Sequence, residues 1–219
     1  MTELLYLKDC YLRTFRAAVV RADGRLVVLD KTGFYVEGGG QPADTGMMQR
    51  GDEIFRVQAV RKTSGEIMHD IDHEGLRAGD IVSCEVDWGV RYRYMRYHTA
   101  CHLLSGLIHR DTGALITGNQ IKPHESRIDF DLETMDRALL EKVFAEANAI
   151  ISQNVPVVIR FMPRDEALKI PAIIKLKMFL PAGIEEVRVV EIGNADVQAC
   201  GGTHLKSTHE IGKIALNKV

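Results

Sequence analysis

Cys10-Tyr-Leu-Arg-Thr-Phe-Arg-Ala-Ala-Val-Val20 and Arg25-Leu-Val-Val-Leu-Asp30 flank Asp23-Gly24, and together they read as a β-hairpin. The first run alternates imperfectly between apolar and polar residues, and Asp-Gly is a favoured pair for a tight hairpin turn. The same signature continues downstream. Ile54 to Val60 and Ile81 to Val86 are further short strands, and Ala78-Gly79-Asp80 is a tight turn leading into the second of them. Several short strands at close spacing predict a small antiparallel β-barrel-like domain over residues 1–88.

The character of the chain changes at Asp87-Trp88. Arg91 to His109 has helical period, with Tyr94, Tyr97, Leu104 and Ile108 on one apolar side, and Gly113 is a plausible stop. His98 and His102 form an adjacent stripe. Ile128-Asp-Phe-Asp-Leu132 reads as a strand. Thr134 to Gln153 reads as an amphipathic helix capped by Thr134, with Leu139, Leu140, Val143, Ala147 and Ile150 inward. Strands are expected at Val155 to Phe161, Val187 to Ile192 and Ile214 to Leu216, with a short helix from Arg164 to Leu168. This mixture predicts an α+β domain over residues 89–219.

A formal net charge of -2 excludes a uniformly basic nucleic-acid binder, so any nucleic acid must be held by local patches. No apolar run reaches the roughly 18–20 residues of a membrane span, and Met1 to Asp9 lacks the pattern of a signal peptide. Four cysteines in so core-rich a chain are read as reduced thiols of a cytoplasmic protein rather than as disulfides. Cys10 and Cys84 are expected as small buried residues of strands. Cys101 is expected in the core, because on a helix it points about 100° away from His102.

Two pairs of metal-binding side chains stand far apart: His98-Thr-Ala-Cys-His102 and Cys200-Gly-Gly-Thr-His204. Spacing by four stacks two side chains on one helix face. A lone His-x-x-x-His is more often a pair of surface or satisfied core histidines. The Cys-Gly-Gly-Thr-His pair is more specific, because its glycines let the backbone approach closely. Combined, His98, His102, Cys200 and His204 form a donor set suited to one zinc ion per chain. Four protein donors match structural zinc, whereas two such distant segments speak for a functional site, and both roles stay open on the residues alone. His69, His73, His124 and His209 are expected to be solvated, and His109 suits the C-terminal end of a helix.

Gly38-Gly39-Gly40-Gln41-Pro42 is either an ordinary loop or one whose backbone approaches a ligand; it is not a Walker A loop, since no Lys-Ser/Thr follows. Arg91, Arg93 and Arg96 interleave with Tyr92, Tyr94 and Tyr97, a composition that suits phosphates and stacked bases and equally a solvated arginine face. Lys169, Lys175 and Lys177, with Arg164 upstream, form a second basic segment. No nucleophile triad or obvious general base stands out, which leaves water as the nucleophile of any hydrolysis.

At His98-Thr-Ala-Cys-His-Leu-Leu104, and at Cys200-Gly-Gly-Thr-His204 followed by Glu210-Ile-Gly212, the sequence resembles the editing domain of alanyl-tRNA synthetases. Thr32-Gly-Phe-Tyr-Val-Glu-Gly-Gly-Gly-Gln-Pro-Ala-Asp-Thr-Gly46 and Val187-Arg-Val-Val-Glu-Ile-Gly193 extend the likeness over nearly the whole chain, in order. It looks like a free-standing alanyl-tRNA editing protein of the AlaX family, in the medium-length form. The editing domain of threonyl-tRNA synthetases shares the His and Cys pairs but lacks the Gly-Gly-Gly-Gln segment. The resemblance implies hydrolysis of mischarged tRNA(Ala), chiefly Ser-tRNA(Ala) and also Gly-tRNA(Ala), beside a zinc ion on His98, His102, Cys200 and His204. It implies a hydroxyl-recognising Thr117 in the catalytic set, with Gln120 as a neighbour. It sets Gly38, Gly39, Gly40 and Gln41 against the pocket, Gln41 being their polar reach. Arg91, Arg93, Arg96, Lys175 and Lys177 would then contact the tRNA. Two rival readings are a zinc-stabilised tRNA-binding module without catalysis and a general metallohydrolase of small esters.

Overall fold

The computed structural model describes residues 1–170, 173, 175, 183 and 185–219. They divide into two compact units, Met1–Tyr94 and Met95–Val219. No helix among the described residues is long and apolar enough to cross a membrane.

In the first unit β1 (Glu3–Leu4), β2 (Thr14–Asp23), β3 (Leu26–Leu29) and β4 (Lys31–Thr32) are followed by β5 (Gly46–Arg50), β6 (Glu53–Thr63), β7 (Glu66–Ile71) and β8 (Ile81–Val86). Six of these strands close into an antiparallel barrel in the order β2-β3-β7-β6-β5-β8, with β1 and β4 as a short parallel pair outside it. The β2–β3 hairpin and β8 lie where the alternation placed them. Along β8, Val82, Cys84 and Val86 are buried while Ile81, Ser83 and Glu85 are exposed, the period of a strand with one face on a core. In β6 that period slips. A bulge between Val57 and Ala59 puts Val57 and Val60, rather than alternate residues, into the barrel beside Phe55; the extra residue bends the strand as closure requires. Cys10 is buried, but in a turn.

Further sequence expectations fail inside this unit. His69 is not solvated: it is fully buried, with Nδ1 at 3.1 Å from the Val27 carbonyl and Nε2 at 2.9 Å from Thr32 Oγ1. Arg91, expected on tRNA, is also fully buried. Its guanidinium forms an ion pair with Asp44 and donates to the carbonyls of Cys10 (2.9 Å) and Gly33 (2.6 Å). A cation so completely engaged in the interior cannot reach a phosphate. Asp44 also accepts from the Tyr35 amide at 2.6 Å. The glycine-rich loop is ordered by its own bonds: Gly38 and Gln41 exchange both backbone hydrogen bonds, and Tyr35 Oη donates to the Gly38 carbonyl at 2.8 Å. Gly39 and Gly40 form the turn at φ +56° and +79°, a conformation that a side chain would strain. Gly38 and Gly39 are exposed, but Gln41 is only 1% exposed, so its side chain turns inward instead of reaching out.

Helix α1 (Trp88–Thr112) leads into the second unit. Asp87 caps it, Oδ1 accepting from the Val90 amide at 3.1 Å, and Gly113 ends it. The hairpin β9 (Ile116–Ile121) and β10 (Ser126–Phe130) follows, then α2 (Arg137–Ser152). The cap of α2 is Asp136, not Thr134: its side chain accepts from the Ala138 amide, and Leu140, Val143, Ala147 and Ile151 are buried. β11 (Val157–Pro163), α3 (Arg164–Ala167), β12 (Glu186–Ile192) and β13 (Asp196–Ala199) complete the chain, the strands forming an antiparallel sheet β11-β12-β13. Met162, Ala167, Ile173, Val187 and Val189 pack on it. Ile214 to Leu216 is not a strand. The backbone of Ile214 is bonded instead to the side chain of Asn148, at 3.0 Å for both its amide and its carbonyl.

Candidate metal centre

His98 and His102 lie one turn apart on α1, and the chain brings Cys200 and His204 to them just after β13. One donor atom from each of the four lies within 4.8 Å of every other, a group that could hold a metal ion. Cys200 Sγ is 3.6 Å from His98 Nε2 and 3.4 Å from His204 Nε2, and it accepts from the Gly202 amide at 3.2 Å. The imidazoles are 4%, 5% and 1% exposed at His98, His102 and His204, so a bound cation would be largely shielded from bulk water.

The electrostatics suit a cation. Burial alone would raise the Cys200 thiol; the three imidazoles outweigh it and hold the thiol well below its ordinary value. Burial alone would lower His102, yet the Cys200 thiolate and the Asp196 carboxylate push it up to about 9. His204 is driven well below its ordinary value by burial and by the two neighbouring imidazoles. One thiolate among three nitrogens is a borderline-soft donor set, which fits zinc by its chemistry.

The rear of the site is built by neighbouring residues. Thr99 Oγ1 accepts from the Leu205 amide at 3.1 Å and lies 3.2 Å from His204 Nδ1. His102 Nδ1 is 3.0 Å from Asp196 Oδ2. Asp196 and Gln198 are buried while Val197 and Ala199 are only half-buried, so positions 196 and 198 share the inward face of β13 just before Cys200. Sequence reasoning passed over Asp196, although the alternation Asp-x-Gln-x-Cys before the thiolate could have found it.

The remaining expected residues are more dispersed. Thr117 and Gln120 are exposed on β9. The β9–β10 hairpin touches the donor helix, Cys101 Sγ donating to Ser126 Oγ at 3.4 Å. Cys101 is a core residue as expected, and burial pushes its thiol up to about 11. Arg93 is exposed, and the Arg96 guanidinium donates to the Ile211 carbonyl at 2.9 and 2.7 Å. Lys175 does not line a path for tRNA: it is 3% exposed and ion-paired with Asp196. Lys177 lies outside the described residues. All four cysteines are free thiols.

Residues 7–90 match the family described as class II (A) tRNA synthetases, and residues 187–219 match the second additional domain of threonyl and alanyl tRNA synthetases. Over its full length the chain is 46% identical to the alanyl-tRNA editing protein AlaX-M of Saccharolobus solfataricus, covering 93% of that protein. Identity to the AlaX-M protein of Methanosarcina barkeri is 44%, again with 100% and 93% of the two chains covered. The whole chain is also 42% identical to a part of the alanine–tRNA ligase of Pyrobaculum aerophilum, covering 25% of that enzyme.

Proposed function

The chain belongs to the AlaX-M family of alanyl-tRNA editing proteins, and from that premise we propose that it hydrolyses the aminoacyl ester of tRNA(Ala) carrying serine, and secondarily glycine, at a single zinc site. The observation that carries the reading is the convergence of His98, His102, Cys200 and His204, from segments 102 residues apart, on one buried cluster. When bound there, zinc would orient the substrate amino group and carbonyl or activate water.

The protein's own residues do the rest. The Cys200 thiolate and the Nε2 atoms of His98 and His204 face the cation position, and Thr99 and Asp196 brace two of the imidazoles from behind. Water is the nucleophile. Thr117, with Gln120 further along β9, is assigned to the serine hydroxyl. A site that hydrogen-bonds a hydroxyl rejects a substrate lacking it far more strongly than a size sieve separates alanine from serine. The backbone of Gly38, Gly39 and Gly40 is assigned to the substrate as an exposed, pre-shaped turn, while buried Gln41 supports it from within. Arg93 and Arg96 remain as contacts for the tRNA. Free thiols and the family's role in translation support a cytoplasmic setting.

Deacylation of Ser-, Gly- and Ala-tRNA(Ala) by the purified protein, with and without chelator, tests this. Rapid loss of serine, little loss of alanine and dependence on zinc are expected. A His102→Ala variant that keeps its fold and its tRNA affinity but loses hydrolysis supports catalysis. If the variant unfolds and the wild type hydrolyses nothing, the protein is a zinc-stabilised tRNA-binding module.

A further inference from the structure

Asp196 and Lys175 are buried, at 4% and 3% exposure, and ion-paired with each other. Taking both charges out of water is costly, and a well-packed apolar pair would often serve stability as well. The second oxygen of the carboxylate shows what the pair does. Asp196 Oδ1 meets Lys175 Nζ, and Asp196 Oδ2 lies 3.0 Å from His102 Nδ1. Gln198 Nε2 approaches the same Oδ2 at 3.5 Å. An ionised carboxylate only accepts, so one imidazole proton is held on Nδ1, and Nε2 is the nitrogen left to face the cluster.

The backbone is shaped to permit this contact. His98, His102 and Gly106 repeat every four residues along one face of α1. A Cβ at Gly106 would stand 2.2 Å from the Ala195 carbonyl oxygen and 2.9 Å from Asp196 Cβ. The absent side chain therefore lets the β12–β13 turn close onto the helix one turn beyond His102.

We infer that Asp196, charge-balanced by Lys175, is a positioning residue that fixes the ring orientation and tautomer of His102 for metal binding. The inference rests on the metal reading of the preceding section. It also explains why a lysine in a basic segment is spent in the interior and not on nucleic acid.

The test compares the wild-type full-length protein with Asp196→Asn, Lys175→Met and the double variant. Zinc affinity is read by competition with a chromophoric chelator, ligand geometry by the absorption spectrum of the cobalt-loaded protein, and stability by thermal melting of the metal-free forms. Asp196→Asn is expected to weaken zinc binding about 10–100-fold and to alter the cobalt spectrum. Each single variant leaves a buried charge without its partner and melts lower; the double variant removes both charges and recovers the melting temperature, yet keeps the zinc deficit. If the pair only holds the fold together, the double variant instead recovers zinc affinity along with stability, and the inference is overturned. Wild-type zinc affinity in Asp196→Asn overturns it equally. A wild-type protein that retains no zinc brings down the metal reading itself, whereas tight wild-type binding with unaffected variants brings down only the role of Asp196.

Discussion

His69 and Arg91 are both fully buried, and each is engaged by hydrogen bonds inside the barrel unit. His69 has a measurable consequence. Burial lowers it from 6.5 to about 4, only partly opposed by its bond to the Val27 carbonyl. The folded protein therefore keeps this ring neutral while the unfolded chain takes up a proton as pH falls below 6.5. Its contribution to stability is complete above that value, declines as pH falls from 6.5 toward 4, and by then has cost about 3 kcal/mol. Urea denaturation of the wild type and of His69→Gln across this range checks it: the variant should show a shallower decline, while any acid release of metal affects both alike. Arg91 supports a second prediction. Arg91→Met strands the Asp44 carboxylate and two buried carbonyls, and should cost about 3–5 kcal/mol in the same assay. Arg91→Lys should recover only part of that, because an ammonium cannot reproduce the planar fork that engages three acceptor groups. A variant as stable as wild type refutes the claim that this guanidinium holds the barrel to the start of α1.

The elements themselves were largely legible. Short apolar runs beside turn residues located β8, an Asp-Gly turn located the β2–β3 hairpin, an apolar helical period located α1, and the His-x-x-x-His and Cys-Gly-Gly-Thr-His spacings located the four candidate donors. These signals are local and survive in any window of sequence. What escaped depends on partners far along the chain. Asp44 lies 47 residues from Arg91 and Asp196 lies 94 from His102, and nothing beside a basic residue says whether it will meet a phosphate or a buried carboxylate. The α2 cap is Asp136 and not Thr134: both are good cap residues, and the Ala138 amide selects between them. Gly106 was passed over for a similar reason: within a helix it looks like a mere weakness. Alanine there should gain up to about 1 kcal/mol of helix propensity. The close approach of the Ala195 carbonyl reverses that sign. Gly106→Ala is expected to lower both thermal stability and zinc retention, whereas Gly89→Ala on the same helix, whose Cβ would come no closer than 3.4 Å to Asp87 Oδ1, should lower neither. Equal behaviour of the two variants in melting and metal-content assays contradicts the packing argument.

Across the whole molecule, stability is divided between two sets of contacts. The barrel has an apolar core of its own that includes Phe34, Met48, Phe55 and Ile71, none of which touches water. The unit Met95–Val219 contains all four candidate donors, and two of them reside in the stretch Cys200–His204, which has neither helix nor strand to hold it. Ligand binding to the folded form alone stabilises by RT ln(1 + [L]/Kd), about 4 kcal/mol when the ligand is at a thousand times its Kd. Removing the proposed zinc should therefore act unevenly. Hydrogen exchange followed by mass spectrometry, with and without chelator, is expected to show faster exchange in peptides spanning β12, β13 and residues 200–208. Peptides covering β5 to β8 should change little, because no candidate donor lies among them. The single tryptophan, Trp88, lies in the barrel unit, so its fluorescence should report an unfolding midpoint that chelation moves less than it moves exchange in β13. Uniform loss of protection along the chain would mean that the cation is held elsewhere or that both units unfold as one. Loss confined to β12, β13 and residues 200–208 is the pattern required when two of the donors sit in a segment that the cation ties to α1.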